Sequence, residues 1–212
     1  MSRRGGALPR RLLRHEGRWL ASLGRWVVRR RHGVGPGEQM LPYAGAQAAM
    51  VYGLAFVCAV ETAGLHVLLS GLPVVRTVLL FVDVYTVLMV LGLQAAAVTR
   101  PHVLGTGALW LRDGGRAEVR IPVAGIVAVR YDLRFSRQES RDVPGGVAEL
   151  AVGGQTSVTV ELAEPVEVVR LLGRSERVRT VRFHADDAQG AVAALRAAVA
   201  AREAAPDPVR QG

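Results

Sequence analysis

Residues 43–69 read YAGAQAAMVYGLAFVCAVETAGLHVLL, and residues 72–98 read LPVVRTVLLFVDVYTVLMVLGLQAAAV. Each run exceeds the roughly 20 apolar residues that cross a bilayer core. Between them Ser70-Gly71-Leu72-Pro73 forms a tight turn with Pro near the start of a second helix, and Arg100-Pro101 closes that helix. The pattern predicts a two-helix transmembrane hairpin within 43–99, its helices at about 43–69 and 72–98.

The charge around the hairpin predicts its orientation. Residues 1–42 carry ten Arg against Glu16 and Glu38, whereas Arg76 is the one base near the hairpin tip. By the positive-inside rule the amino terminus is expected in the cytoplasm, and an even number of spans returns the carboxy-terminal part to the same side. The net charge is +9, carried by 27 Arg with no Lys. Residues 43–99 have one Arg against two acids, and residues 100–212 have sixteen Arg against fourteen acids. The folded part is therefore nearly neutral, which argues against a nucleic-acid partner. The absence of Lys excludes a P-loop lysine, a Schiff base and a Ser-Lys dyad. A single cysteine, Cys58, excludes an internal disulfide and a thiolate metal cluster.

The basic arm 1–42 contains RLLRHEGRWLASLGRWVVRRR at 11–31. Its apolar residues, among them Trp19 and Trp26, fall near helical spacing, with Arg on the other face and Arg29, Arg30 and Arg31 at the end. Such a helix suits the headgroup layer of a membrane, where each Arg contributes about 1 kcal/mol of attraction to an anionic leaflet. The alternative is a disordered basic stretch that only sets topology. Gly33-Val34-Gly35-Pro36-Gly37 reads as a flexible link.

Polar residues inside the two apolar runs need a reason, because charges at membrane depth are costly. At 100° per residue, Arg76, Asp83 and Gln94 fall within about 20° of one stripe. In the first run Gln47, Cys58, Glu61 and Thr62 share an arc of about 100°, with His66 about 40° further round. The expectation is a polar seam of Glu61, His66, Arg76, Asp83 and Gln94, with Glu61 beside Asp83. Gly45, Ala49 and Gly53 are expected to let the helices approach closely. A sharper reading makes Glu61, His66 and Asp83 a proton or ion relay, which a two-helix hairpin could enclose only as a homo-oligomer.

Beyond residue 100 the pattern changes. Residues 127–135, VAVRYDLRF, alternate apolar with polar or small residues, as a half-buried strand does. Similar runs lie at 108–112, 117–121, 147–152, 157–162, 166–172 and 178–184. Asp113-Gly114-Gly115, Pro144-Gly145-Gly146 and Gly153-Gly154 punctuate them as turns. A helix follows at 187–204 with Ala188, Val192, Leu195 and Val199 on one face, Asp186 or Asp187 at its cap and Pro206 beyond its end. The expected domains are thus the arm 1–42, the hairpin 43–99, a β domain with its helix at 100–205, and a tail 206–212.

Seven short strands and a final amphipathic helix resemble the pleckstrin-homology (PH) architecture, an antiparallel barrel plugged by its last helix. A PH-like domain attached to a transmembrane hairpin resembles an arrangement seen in bacterial membrane proteins. The runs FVCAVETAGLHVLL, FVDVYTVLMVLGLQAAAVTRPHVL, QTSVTVELAEPV and VRFHADDA resemble a family of actinobacterial integral membrane proteins. That resemblance implies no activity and no catalytic residues. It does imply a fold class, an α+β membrane protein with a two-helix hairpin and a seven-strand PH-like barrel.

A search for chemistry finds no nucleophile elbow, Walker sequence or paired-His motif. Gly105-Thr106-Gly107 precedes a strand and has Trp110 where a dinucleotide fingerprint needs Gly. His102 and His184 could meet but lack a third metal ligand. No cofactor, metal or enzymatic activity is expected. Resemblance to lipid-binding PH domains points to cations around the first hairpin loop, here Arg112, Arg116 and Arg120, whose forked guanidiniums suit phosphate. The expected function is a non-enzymatic protein of the inner (plasma) membrane, both termini cytoplasmic, whose PH-like domain binds a protein partner or an anionic lipid headgroup. The alternative is a small oligomeric transport or proton-coupled subunit using Glu61, His66, Arg76 and Asp83.

Overall fold

The computed structural model describes residues 34–113, 117–135, 146–169 and 175–204, together with Leu23, Gly24, Trp26 and Val28. Two compact units divide the chain: Ala44–Arg100 with Met1–His32, and Pro101–Gly212 with Gly33–Tyr43.

The first unit is a helical hairpin. Helix α1 spans Gly45–Leu68 and helix α2 spans Pro73–Thr99. α1 ends where the Leu69 N–H donates to the Leu65 carbonyl and the Ser70 N–H to that of Val67. Pro73 opens α2, where its missing N–H leaves no bond unmade. Half-buried residues recur as Val51, Ala55, Cys58, Thr62 and Leu65 on α1, with Leu69 at its cap, and as Arg76, Leu79, Asp83, Thr86, Val90 and Leu93 on α2. This alternation of three and four residues is the spacing of helices packed side by side. Nearly all other positions before Gly92 are exposed or half-buried, including Phe56 at 70%, Leu68 at 77% and Phe81 at 72%. Both helices are long and apolar enough to cross a membrane, and no residue of the most apolar window of either is buried. Thr77 and Thr86 turn their hydroxyls back onto the carbonyls of Pro73 and Val82, which satisfies them within the helix.

Among its described residues the second unit has two four-stranded sheets, one α-helix and a short 3-10 helix at Val123–Gly125. Strands β1 (Gln39–Leu41), β2 (His102–Leu104), β3 (Ala108–Asp113) and β4 (Ala117–Pro122) pair in that order, all antiparallel. Strands β5 (Ile126–Phe135), β6 (Val147–Leu150), β7 (Gln155–Val169) and β8 (Ser175–Phe183) form the other sheet in the order β5-β7-β8-β6. Helix α3 spans Ala188–Ala204. The inward side chains of both sheets, among them Leu109, Leu111, Val119, Ile121, Val158, Val160, Val181 and Phe183, make one core with Ala191, Val192 and Leu195 of α3.

Several features depart from the sequence reading. Among the described residues neither sheet closes, and they hold eight strands, not seven. The runs 157–162 and 166–172 are one strand, β7, with a register shift between Glu161 and Val166. Pro165 lies in that shift, where its missing N–H interrupts no ladder bond. Finally, β6 pairs with β8 in parallel, so the sheet is mixed and not wholly antiparallel. Period-2 alternation tells which face a strand buries but not which strand lies beside it.

β1 falls in the stretch read as part of the arm, yet it pairs with β2 from Gln39↔Leu104 to Leu41↔His102. The Gly35-Pro36-Gly37-Glu38 turn launches it. Gly37 takes φ +80°, and the Gly35 N–H donates to the Glu38 carboxylate at 2.6 Å. Pro followed by a left-handed Gly is the chemistry of a type II turn. Gly153 and Gly154 form the expected tight turn, with φ of 60° and 75° and paired bonds between Val152 and Gln155.

α3 starts as expected. The Asp187 carboxylate accepts the Gly190 N–H at 2.8 Å, an N-cap bond. Asp187→Ala is expected to remove about 1 kcal/mol of stability. Thermal unfolding of the full chain in mild detergent should show a drop of a few degrees; no drop would mean the cap adds nothing.

Candidate functional site

The hairpin places its polar residues in two clusters. Near the base of the hairpin the Gln47 amide donates to Gln94 Oε1 at 3.1 Å, and the Gln94 amide donates to the Ala44 carbonyl at 3.2 Å. Gln94 is buried. Nearer the tip the Thr62 hydroxyl lies 2.8 Å from the Cys58 carbonyl and 3.2 Å from Asp83 Oδ2. Thr62, His66, Arg76 and Asp83 line one cleft, walled by Leu65, Leu69, Leu79 and Leu80.

Glu61 is the exception. The residue that meets Asp83 is Thr62, while Glu61 is exposed. Its direction lies about 80° from the centre of the seam at 100° per residue. The arc drawn from sequence was too wide to separate neighbours, and packing selected the position one residue further along. Ala49 and Gly53 are likewise exposed, and a methyl added at Gly53 would meet nothing within 4 Å. The small residues therefore do not face α2.

In the second unit the residues of the first β-hairpin pair across strands. Arg112 stands opposite Glu118, and Trp110 opposite Arg120. The Arg112 guanidinium donates to Glu118 at 3.1 Å, and that of Arg120 lies 5.4 Å from the Trp110 ring centroid. Opposite charges and a cation over an indole are the favourable pairings at such sites. Of the three cations expected to read a headgroup, Arg112 is engaged by a carboxylate and Arg120 by an aromatic face. Arg116 lies outside the described residues, as do Trp19, Arg29, Arg30 and Arg31 of the arm. Trp26 is half-buried, and the Val28 N–H donates to the Gly24 carbonyl at 3.1 Å, a helical bond.

A polar row crosses the second sheet at one level: Arg130↔Thr159, Thr159↔Arg182 and Arg182↔Glu149. Arg182 donates to Glu149 at 3.0 Å, Arg130 pairs with Glu161, and Arg134 donates to Asp132 at 2.7 Å. Burial pushes the Asp132 carboxyl up, but Arg134, Thr159 and Arg182 together outweigh it and hold the group below its usual range. Opposite charges on this face neutralise one another.

The sequence suggested that His102 and His184 could meet, and they do, through the backbone. His102 Nε2 lies 3.2 Å from the His184 carbonyl, and His102 Nδ1 accepts the Arg112 N–H at 2.9 Å. These partners assign the proton to Nε2. The ring stacks on Tyr43 at 4.4 Å and meets Phe183 edge-on at 5.2 Å. Burial is the main cause that pushes His102 down to about 3. Burial also lowers His184, against the pull of Asp186 at 3.6 Å. Among the described residues no three His, Cys, Asp or Glu side chains are grouped to hold a metal. A neutral, fully bonded imidazole in this setting joins β2, β3 and β8.

One exposed apolar surface remains. β5 is an edge strand, and Val127 (67%), Tyr131, Leu133 and Phe135 (69%) are exposed along it. The Arg196 guanidinium donates twice to the Val129 carbonyl on the same strand. Comparison with protein-family models, curated proteins and solved structures finds no match to this chain.

Proposed function

We propose that this chain is a non-enzymatic integral protein of the cell membrane. In this reading α1 and α2 cross the bilayer, the arm lies on the cytoplasmic leaflet, and both termini are cytoplasmic. The second unit is a PH-like docking module, a fold variant with open sheets, that binds a protein partner. The observation that carries the reading is the exposure of two helices long and apolar enough to span. Apolar surface on that scale marks a membrane or partner contact. Support for a protein partner comes from the exposed apolar edge of β5, since a sheet edge can dock a partner through backbone and side chains. A headgroup partner has less support, because Arg112 and Arg120 are already engaged.

A second reading, a small transport or proton-coupled subunit, draws on the cleft of His66, Arg76 and Asp83. Glu61 lies outside the seam and weakens it.

The test uses the full chain with a carboxy-terminal tag. It should stay in membranes after an alkaline carbonate wash. Protease should remove the tag in inverted vesicles and spare it in spheroplasts. Release by carbonate would end the spanning reading, and digestion in spheroplasts would reverse the orientation. Soluble inositol phosphates should leave the unfolding temperature unchanged; a rise that Arg120→Ala abolishes would restore the headgroup reading.

A further inference from the structure

We propose that the cleft near the tip of the hairpin binds the phosphodiester of a membrane phospholipid, with Arg76 and His66 as its ligands. The inference rests on the reading that α1 and α2 span the bilayer. Arg76 is the residue that carries it. It is half-buried between the helices, yet its guanidinium makes no hydrogen bond or ion pair among the described residues. A cation drawn into an apolar hairpin without a partner is costly, and an anion offsets that cost.

The hairpin's own carboxylates do not supply the anion. Asp83 lines the same cleft, but its Oδ2 accepts the Thr62 hydroxyl at 3.2 Å. It also lies two turns deeper than Arg76, about 10 Å along α2. Glu61 is exposed and does not line the cleft. His66 adds a second nitrogen donor there, and it too has no partner among the described residues. Guanidinium and imidazole N–H groups are donors that suit phosphate oxygens.

Depth, size and walls select a lipid phosphate. Arg76 lies one turn into α2 and His66 in the last turn of α1, so both are within about 5 Å of the helix ends at the tip. Phospholipids present their phosphates at that level, and a long Arg stem reaches outward to them. The cleft holds about 190 Å³, below the roughly 300–1,000 Å³ of sites that enclose a whole small molecule. It therefore takes one group and not an entire metabolite. Leu65, Leu69, Leu79 and Leu80 wall it, and Leu80 is 37% exposed. Inorganic phosphate gains nothing from such walls, whereas the glycerol and first methylenes of a lipid do. The single negative charge of a phosphodiester matches the one guanidinium of the cleft.

The test uses the full chain in mild detergent at about 0.5 M salt, which screens exposed cations. Bound lipid is counted by native mass spectrometry. The probes are phosphatidylglycerol, diacylglycerol with the same acyl chains, and inorganic phosphate. The natural chain should retain phosphatidylglycerol about tenfold better than diacylglycerol, and Arg76→Gln should remove about that factor, as loss of a charge-assisted hydrogen bond does. His66→Gln should cut retention less. Arg76→Lys keeps the charge and should hold most of the lipid, and Arg202→Gln, on α3, should change nothing. Equal retention of diacylglycerol would overturn the phosphate as ligand, and this comparison on the natural chain stands even where Arg76→Gln fails to fold. Retention unchanged in Arg76→Gln, or lost equally in Arg202→Gln, would overturn the cleft as the site. Displacement by inorganic phosphate, or a polypeptide adduct in place of lipid, would overturn the lipid as occupant. Release of the chain by carbonate would instead overturn the spanning reading beneath it.

Discussion

His102→Ala is expected to destabilise the second unit by about 3–5 kcal/mol, the range for a large buried side chain that leaves polar groups behind. The substitution removes a ring stacked on Tyr43 and edge-on to Phe183. It also leaves the Arg112 N–H and the His184 carbonyl without their buried partner. For a unit of this size the loss should lower the unfolding temperature by more than about 10 °C. The same residue should make stability depend on acid. Its folded value is about 3 against an ordinary 6.5, so the unfolded chain takes up the proton first. The contribution is complete above pH 6.5 and is lost as pH falls from 6.5 toward 3, at about 1.4 kcal/mol per pH unit. His184 is lowered too and acts in the same direction. Asp132 titrates below the usual carboxylate range, so it leaves the interval between pH 6.5 and 5 undisturbed. Thermal unfolding in mild detergent at pH 7, 6 and 5 checks this. His102→Phe keeps an aromatic ring and should flatten most of the pH dependence. Equal slopes for the variant and the natural chain would show that His102 is not the group that titrates.

Glu149→Ala is expected to cost about 3 kcal/mol, because it strands a guanidinium that the fold has taken out of water. Arg182 is 9% exposed, its Nε has no partner among the described residues, and Glu149 is the carboxylate to which its guanidinium donates. Arg182→Leu combined with Glu149→Leu removes both charges and places apolar groups in the row. The double variant should be more stable than Glu149→Ala, since a paired charge replaced as a pair is often neutral. Unfolding temperatures of both variants decide it. A double variant no better than Glu149→Ala would mean that the pair contributes through its wider network on the sheet and not through the isolated charge.

Much of the fold was legible because its determinants are local. The two long apolar runs, the Pro73 start, the Gly153-Gly154 turn and the Asp187 cap each follow from residues within a few positions. The seam was legible in part. Helical periodicity placed Arg76, Asp83 and Gln94 on one stripe of α2. It did not separate Glu61 from Thr62, because neighbours 100° apart can both border a contact whose centre is not yet known. The candidate surface of the second unit was the least legible. Arg112 and Arg120 were visible as cations, but Glu118 and Trp110 become their partners only through the β3–β4 register. His102 carried no marker of its role in the chain, since Tyr43, Arg112, Phe183 and His184 come to it from far along the sequence.

By itself, the sequence determined the class of the protein: a basic arm, two apolar helices of spanning length, and a strand-rich unit ended by one amphipathic helix. Composition, period and turn residues act over short distances, and they suffice for that. Only the tertiary structure decided that β1 belongs to the second unit, that β6 lies parallel to β8, and that Glu61 faces outward while Thr62 meets Asp83. Those outcomes depend on which neighbour each buried face finds. A one-residue rotation of a helix or a change of strand partner leaves every local pattern intact, so nothing short of the packed core can choose between them.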